Sequence, residues 1–196
     1  MRLIILLLFT LGSLAQAQTT RYVTTTGTNV DPATATSWAT STTDLQGAIA
    51  ASSANDAVWV AAGSYQPGGP ANTDRTLSFT MKNGVAIYGG FVGNETLLSE
   101  RPAIDPIGDQ PSSTTLSGDI GTVGNAGDNS HHVIYNSNLN NTAILDGVVI
   151  TAGTANGIYT AGAGGGMYNQ GSIPVLTNVS FQGNTVQLQQ LVRPIY

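Results

Sequence analysis

The only imidazoles in the chain are two neighbours, His131 and His132, and there is no cysteine. Adjacent residues on a strand point to opposite faces, so this pair does not converge on one metal without a bulge. The pattern reads as one exposed and one packed side chain at a strand start. The absence of cysteine excludes disulfides, zinc-thiolate centres and a thiol nucleophile. Among the acids, Asp119, Asp128 and Asp146 are spaced so that stacked strands could make them neighbours. A glycosidase needs two carboxylates about 5 to 9.5 Å apart across a groove. Beyond the first residues the bases are Arg21, Arg75, Lys82, Arg101 and Arg193, and none lies in a strand run beside paired acids. No catalytic, cofactor-binding or metal-ligating residue is therefore assigned.

Weaker signals surround these. The segment from Asp119 to Asn129 gathers oxygen donors on a Gly-rich loop, the ligand type calcium prefers. It matches neither the helix-loop-helix calcium spacing nor the glycine-rich nonapeptide, so a plain surface turn fits it as well. Trp38, Trp59, Tyr65, Tyr88, Phe91, Tyr135 and Tyr168 could form a sugar-stacking strip, or fill corners of a core. Asn138, Asn140, Asn141, Asn169, Asn178 and Asn184 are candidates for polar corners that hydrogen-bond from strand to strand, or for ordinary turns. Asn94-Glu95-Thr96, Asn140-Asn141-Thr142 and Asn178-Val179-Ser180 have the glycosylation pattern.

The elements that must position these residues are short. Thr (25), Asn (15), Ser (15) and Gly (24) dominate a chain of 196 residues, and only 9% is charged. That mixture excludes a coiled coil and a charge-driven disordered tail, and fits strands joined by many turns. The formal charge of −5 is the wrong sign for a nucleic-acid binder that neutralises phosphates. Arg2, the apolar run Leu3 to Leu11 and Ala15-Gln16-Ala17 form the pattern of an export leader over residues 1–17. No later segment approaches the roughly 20 apolar residues of a membrane span.

Leu45, Ala48 and Ile49 share one helical face, and Thr43 with Gln46 has capping-box spacing, which predicts a short helix near 43–54. Strand runs follow at Ala57 to Ala61, Ser78 to Met81, Val85 to Tyr88, Thr114 to Ser117, His132 to Tyr135, Ala143 to Leu145, Val148 to Thr151 and Val175 to Phe181. Glycine-containing steps between them favour tight corners. Leu145-Asp146-Gly147-Val148-Val149-Ile150 aligns with Leu176-Thr177-Asn178-Val179-Ser180-Phe181, a repeat offset by 31 residues. Periods of 20 to 50 residues suggest units that bury their faces by stacking.

Several runs carry a family resemblance: Asn83 to Phe91, Thr114 to Gly121, Asp128 to Ile134, Leu145 to Ile150, and Gly164-Gly165-Gly166-Met167-Tyr168-Asn169. They resemble secreted bacterial right-handed parallel β-helix proteins of the pectin-lyase-like fold, in the branch named after polymorphic outer-membrane proteins. The resemblance runs from Arg21 to Asn184. It implies an all-β solenoid with a short N-terminal capping helix, filling residues 18–184. Residues 185–196 break the pattern, and the expectation is a truncated end, with Leu188, Leu191, Val192 and Ile195 available to cover it.

The function expected from this reading is non-catalytic: an exported or cell-surface protein that binds glycan or matrix, without cofactor or nucleic acid. The alternative is the front portion of a polysaccharide lyase or glycoside hydrolase whose catalytic coils are absent.

Overall fold

The structure is a computed structural model and describes residues 17–104 and 113–187. The leader pattern before Ala17 and the tail residues Leu188, Leu191, Val192 and Ile195 lie outside the described residues.

Helix α1 (Leu45–Ala51) is capped at its start by Asp44, whose carboxylate accepts the Gly47 N–H at 2.8 Å. Asp44, not Thr43, is thus the cap, because a carboxylate meets both the free N–H groups and the positive end of the helix dipole. At the other end the Lys82 ammonium donates to the carbonyls of Ala50 and Ser52, which have no partner further along the helix. The apolar face buries Leu45, Ala48 and Ile49. They join a core with Val23 and Val58, and each such fully buried aliphatic contributes about 1.5–3 kcal/mol.

Among the described residues every strand pairing is parallel. The main sheet runs β1 (Thr20–Val23), β2 (Ala57–Ala61), β4 (Ala86–Phe91), β7 (Ile144–Thr151), β5 (Thr114–Ser117) and β3 (Gly63–Tyr65), with β10 (Val175–Gln182) also on β7. Two small ladders join β6 (Ile134–Ser137) to β9 (Met167–Gln170), and β8 (Thr154–Ala155) to β11 (Thr185–Val186). The expected strand at Ser78 to Met81 is reduced to one bridge, Phe79 to Ile134.

The all-β solenoid is corrected by this connectivity. The described residues form a mixed α/β arrangement in which a six-strand parallel path curls into a half-barrel beside a helix. The physical reason lies at Gly147. The runs Ala143 to Leu145 and Val148 to Thr151 read as two strands on either side of an Asp-Gly corner, yet they form one eight-residue strand. Gly147, at φ +77°, lets β7 turn without breaking. Its first half continues the ladder of β4, through Ala86↔Ile144 and Tyr88↔Asp146. Its second half continues β5, through Thr114↔Val148 and Ser117↔Thr151. The sheet therefore curls through the glycine instead of dividing into separate faces.

The 31-residue repeat is the register of β7 with β10: Leu176 lies beside Leu145, Val179 beside Val148 and Phe181 beside Ile150. The inner rows of the sheet, with Phe79, Met81 and Val85, make one core. On the outer face a second cluster holds Ala57, Trp59 and Phe91.

Candidate functional site

A cleft of about 630 Å³ lies between the start of α1 and the segment from Ser64 to Phe79. That size suits a small organic ligand. One wall is Thr43, Asp44, Leu45 and Gln46, placed by the helix cap. The opposite wall is Ser64 and Tyr65 of β3, continuing through Gln66, Gly68 and Pro70 to Leu77, Ser78 and Phe79. Thr25 closes one side.

Local hydrogen bonds hold these walls. Gln46 accepts from the Thr80 N–H and donates to the Thr80 carbonyl, which ties the helix to the far wall. Gln66 donates to the Asp119 carbonyl at 3.0 Å. The Tyr65 hydroxyl donates to the Ala61 carbonyl at 3.0 Å, and burial pushes the phenol well above its ordinary range. Tyr65 is therefore neutral at any physiological pH and belongs to the wall. The hydroxyls of Thr25, Thr43, Ser64 and Ser78 have no hydrogen-bond partner among the described residues. Asp44 is the one carboxylate in the lining, and it already serves as a helix cap. The lining thus offers neutral donors and acceptors beside an apolar floor, without a second acid at glycosidase distance.

No family model, curated protein or solved structure matches the chain. Together with the curled sheet, that finding corrects the resemblance to secreted β-helix proteins, which does not extend to family membership.

The other residues singled out in the sequence separate into groups. The histidines diverge. His132 is buried, its Nδ1 lies 3.1 Å from the Gly164 carbonyl, and its ring packs on Tyr168 at 5.4 Å. His131 faces Arg75 and the Thr154 backbone. Burial lowers the basicity of His131 most, the Arg75 charge lowers it further, and the Thr154 hydrogen bond only partly opposes them. Its imidazole is neutral at pH 7. Among the described residues, no three His, Cys, Asp or Glu side chains gather to hold a metal.

The acids separate too. Asp146, on β7, pairs with Arg101 at 2.9 Å and accepts from Asn178 at 3.0 Å. Asp119 and Asp128 serve their own loop. Asp119 accepts the Gly124 N–H at 2.9 Å, and Asp128 accepts the Thr122 N–H at 2.9 Å. Arg75 donates to the Asn129 carbonyl at 2.6 Å, which sets a fixed positive charge at the base of the loop. These contacts tie the loop to itself, while Asp128 Oδ1, Asn129 Oδ1 and Ser130 Oγ remain buried without a hydrogen-bond partner among the described residues. Thermal melts with calcium and with chelator are expected to superimpose. Asp119→Ala is expected to lower stability by about 1 kcal/mol in both media. A calcium-dependent rise in melting temperature that Asp128→Ala abolishes would show instead that the loop takes an ion.

The aromatic residues do not form one strip. Tyr22, Trp59 and Tyr88 stand side by side on β1, β2 and β4, and Trp59 stacks on Phe91 with centroids 4.5 Å apart. Trp38 packs edge-on against Tyr22 at 4.7 Å and donates its indole N–H to the Glu95 carbonyl at 2.9 Å. Arg101 covers the end of this cluster, 5.6 Å from the Tyr88 centroid. The rings mostly satisfy one another. Tyr135 and Tyr168 form a separate stacked pair at 5.6 Å on β6 and β9. Tyr65 lies in the main core.

The polar ladder forms at Asn169, but its partner is Asn136, which the sequence reading missed. Asn136 is fully buried, accepts the Met81 N–H at 3.1 Å and donates to Asn169 at 2.9 Å. The signal was present, since strand alternation places Asn136 on the same inward face as Ile134. Asn184 bridges to β7, donating to the Ile150 carbonyl at 2.8 Å. Asn138 occupies a left-handed turn at φ +56°, and Asn178 has a left-handed backbone at φ +50° within β10. Asn140 accepts the Thr142 N–H, and Asn141 is exposed.

Proposed function

We propose that this is an exported, non-catalytic binding protein acting at a cell surface or in its surroundings, and that the cleft beside α1 receives a neutral saccharide. The observation that carries this reading is the lining. Four hydroxyl residues without side-chain partners among the described residues line it beside a partly apolar floor, and the single carboxylate of the lining caps the helix. A sugar presents the matching chemistry, with hydroxyls that both donate and accept around an apolar ring face. Anionic ligands gain little from such walls, because no Lys or Arg lines them. Export is supported by the Arg2, Leu3–Leu11 and Ala15-Gln16-Ala17 pattern. No helix among the described residues is long and apolar enough to cross a membrane.

The test is calorimetric titration of the protein with a panel of neutral and acidic oligosaccharides, with product analysis of the same mixtures. Binding of a neutral member is expected. Ser64→Trp, at an exposed position on the cleft wall, is expected to weaken it by about tenfold or more while leaving the melting temperature unchanged. Absence of binding to any neutral member would sink the proposal. So would cleavage products, which would favour a polysaccharide-degrading enzyme.

A further inference from the structure

The cleft beside α1 carries one charged side chain, and its placement is built into the helix start. Asp44 is held at three points. Its N–H donates to the Thr42 hydroxyl at 3.1 Å, its carbonyl accepts the Ala48 N–H at 3.0 Å, and its Oδ1 accepts the Gly47 N–H at 2.8 Å. The other carboxylate oxygen, Oδ2, has no partner among the described residues, and the residue is exposed where it lines the cleft. Gly47 makes room for that oxygen, because a Cβ there would meet Asp44 Oδ2 and the Pro32 ring. Glycine is a poor helix residue, and at this position it leaves the carboxylate its space.

Among the described residues no base answers this charge. Arg75 belongs to the wall segment between Pro70 and Leu77, but its guanidinium is used elsewhere. It donates to the Asn129 carbonyl at 2.6 Å, the Asn156 side chain at 2.8 Å and the Thr154 carbonyl at 3.4 Å, none of which lines the cleft. Lys82 is engaged at the far end of α1, on the carbonyls of Ala50 and Ser52. The other acid of the wall segment, Asp74, accepts from the Thr76 hydroxyl at 2.7 Å and the Thr76 N–H at 2.9 Å, so it adds to the negative charge and does not balance it.

Two saccharides of the same shape therefore meet different conditions here. A neutral one finds the hydroxyls of Thr25, Thr43, Ser64 and Ser78 and an apolar floor. One that carries carboxylates brings a second anion into a space whose charged lining residue has the same sign. Its carboxylate gives up hydration on entering, and no cation of the lining replaces the lost water. Repulsion of this kind discriminates between ligands that are otherwise alike.

We infer that Asp44 sets the ligand class of this cleft, admitting saccharides without acidic groups and turning away those built of uronic acids. The inference rests on the reading of the cleft as a saccharide site and adds the residue that selects among saccharides. Within one carboxylate the two oxygens divide the work. Oδ1 holds the start of α1, and Oδ2 presents the charge to the ligand. Because Asp44 is exposed, the rejection weakens as added salt screens it.

The test is calorimetric titration of the full chain with matched pairs, each a neutral hexose oligomer beside its uronate counterpart, in the gluco, galacto and manno series. In the wild type the uronate member is expected to bind about tenfold more weakly than its neutral partner, or worse. Asp44→Asn keeps a capping side chain and removes the charge, and is expected to narrow that ratio to about threefold or less. Asp44→Ser serves should that variant not fold, since serine also caps. Glu100→Gln removes one charge at an exposed position outside the cleft and is expected to leave the ratio as in the wild type. Where a neutral member binds, three results overturn the inference while the saccharide reading stands: a uronate bound as well as its neutral partner, a ratio unmoved by loss of the Asp44 charge, or equal narrowing in Asp44→Asn and Glu100→Gln. Failure of every neutral member to bind removes the saccharide reading itself, and the inference with it.

Discussion

Arg21→Met is expected to lower the stability of the protein by about 3–5 kcal/mol, measured by urea unfolding at pH 7. The guanidinium lies 3.0 Å from Asp56, and both side chains are almost fully removed from water. Asp56 also accepts the Thr19 N–H at 2.9 Å and the Ser53 N–H at 2.7 Å, so one carboxylate joins β1, the end of α1 and the start of β2. Methionine keeps much of the volume of arginine and removes the charge, leaving a buried anion with only N–H partners.

The pH dependence separates this mechanism from simple loss of packing. Burial by itself would raise the Asp56 pKa. The Ser53 and Thr19 N–H groups and then Arg21 more than offset that, and the carboxyl ends below its usual range. A group depressed in the folded state stabilises above its unfolded pKa, near 4, and that stability is lost as pH falls through the lower folded value. The wild type is therefore expected to lose stability progressively below about pH 4. Glu95 adds in the same direction. Burial would raise its pKa, but the N–H groups of Val92, Gly93 and Asn94 hold it low. The gap between Arg21→Met and wild type should narrow across the same interval, as Asp56 takes up a proton. A gap independent of pH would show that the loss comes from packing alone.

Gly153→Ala is expected to cost about 3 kcal/mol or more, or to prevent folding. A Cβ at this position would lie 1.9 Å from the Gly165 carbonyl oxygen. The obstacle is main chain, and no rotamer change relieves it. The neighbours cannot retreat, because the Gly165 carbonyl accepts the Val133 N–H at 3.0 Å and the Gly153 carbonyl accepts the Thr185 N–H at 2.8 Å. A Cβ on Gly165 would in turn meet the Thr185 carbonyl at 2.4 Å, so the close approach passes from one backbone segment to the next. Gly69→Ala is the control for cavity space, since nothing lies within 4 Å of a Cβ there, although its φ of +87° carries strain of its own. Thermal melts of the two variants should differ strongly. Similar losses in both would mean that contact with Gly165 is not what makes Gly153 necessary.

Much of the strand content was legible because its residues report burial directly. Val58, Val60, Ile87, Leu145 and Ile150 lie in apolar runs and form the inner rows. The repeat was legible as well, since residues paired in register share a type. What escaped was how the rows join. An Asp-Gly step reads as a corner whether the chain leaves the sheet there or bends within it, and only the pairing of β7 with both β4 and β5 distinguishes these. The resemblance supplied separate faces where the chain makes a continuous curl. The Arg21–Asp56 pair spans 35 residues and carries no local pattern. The cleft escaped for the same reason, because its hydroxyls come from four separate segments and individually look like turn residues.

The parallel register also has a kinetic consequence. Each ladder joins residues far apart in the chain, so every pairing closes a loop before its hydrogen bonds form. Val175 finds Ile144 across 31 residues, whereas Ile144 finds Ala86 across 58. Closure entropy rises by only about 0.6 kcal/mol for each doubling of loop length, so the longer search costs little more than the shorter one. The dense local contacts that speed helical bundles are scarce here, and folding should take milliseconds to seconds, as in proteins dominated by distant pairings. During that interval the apolar rows of β7, which wait for both β4 and β5, stay uncovered in every incompletely folded molecule. Crowded, half-folded chains would meet first through those uncovered rows.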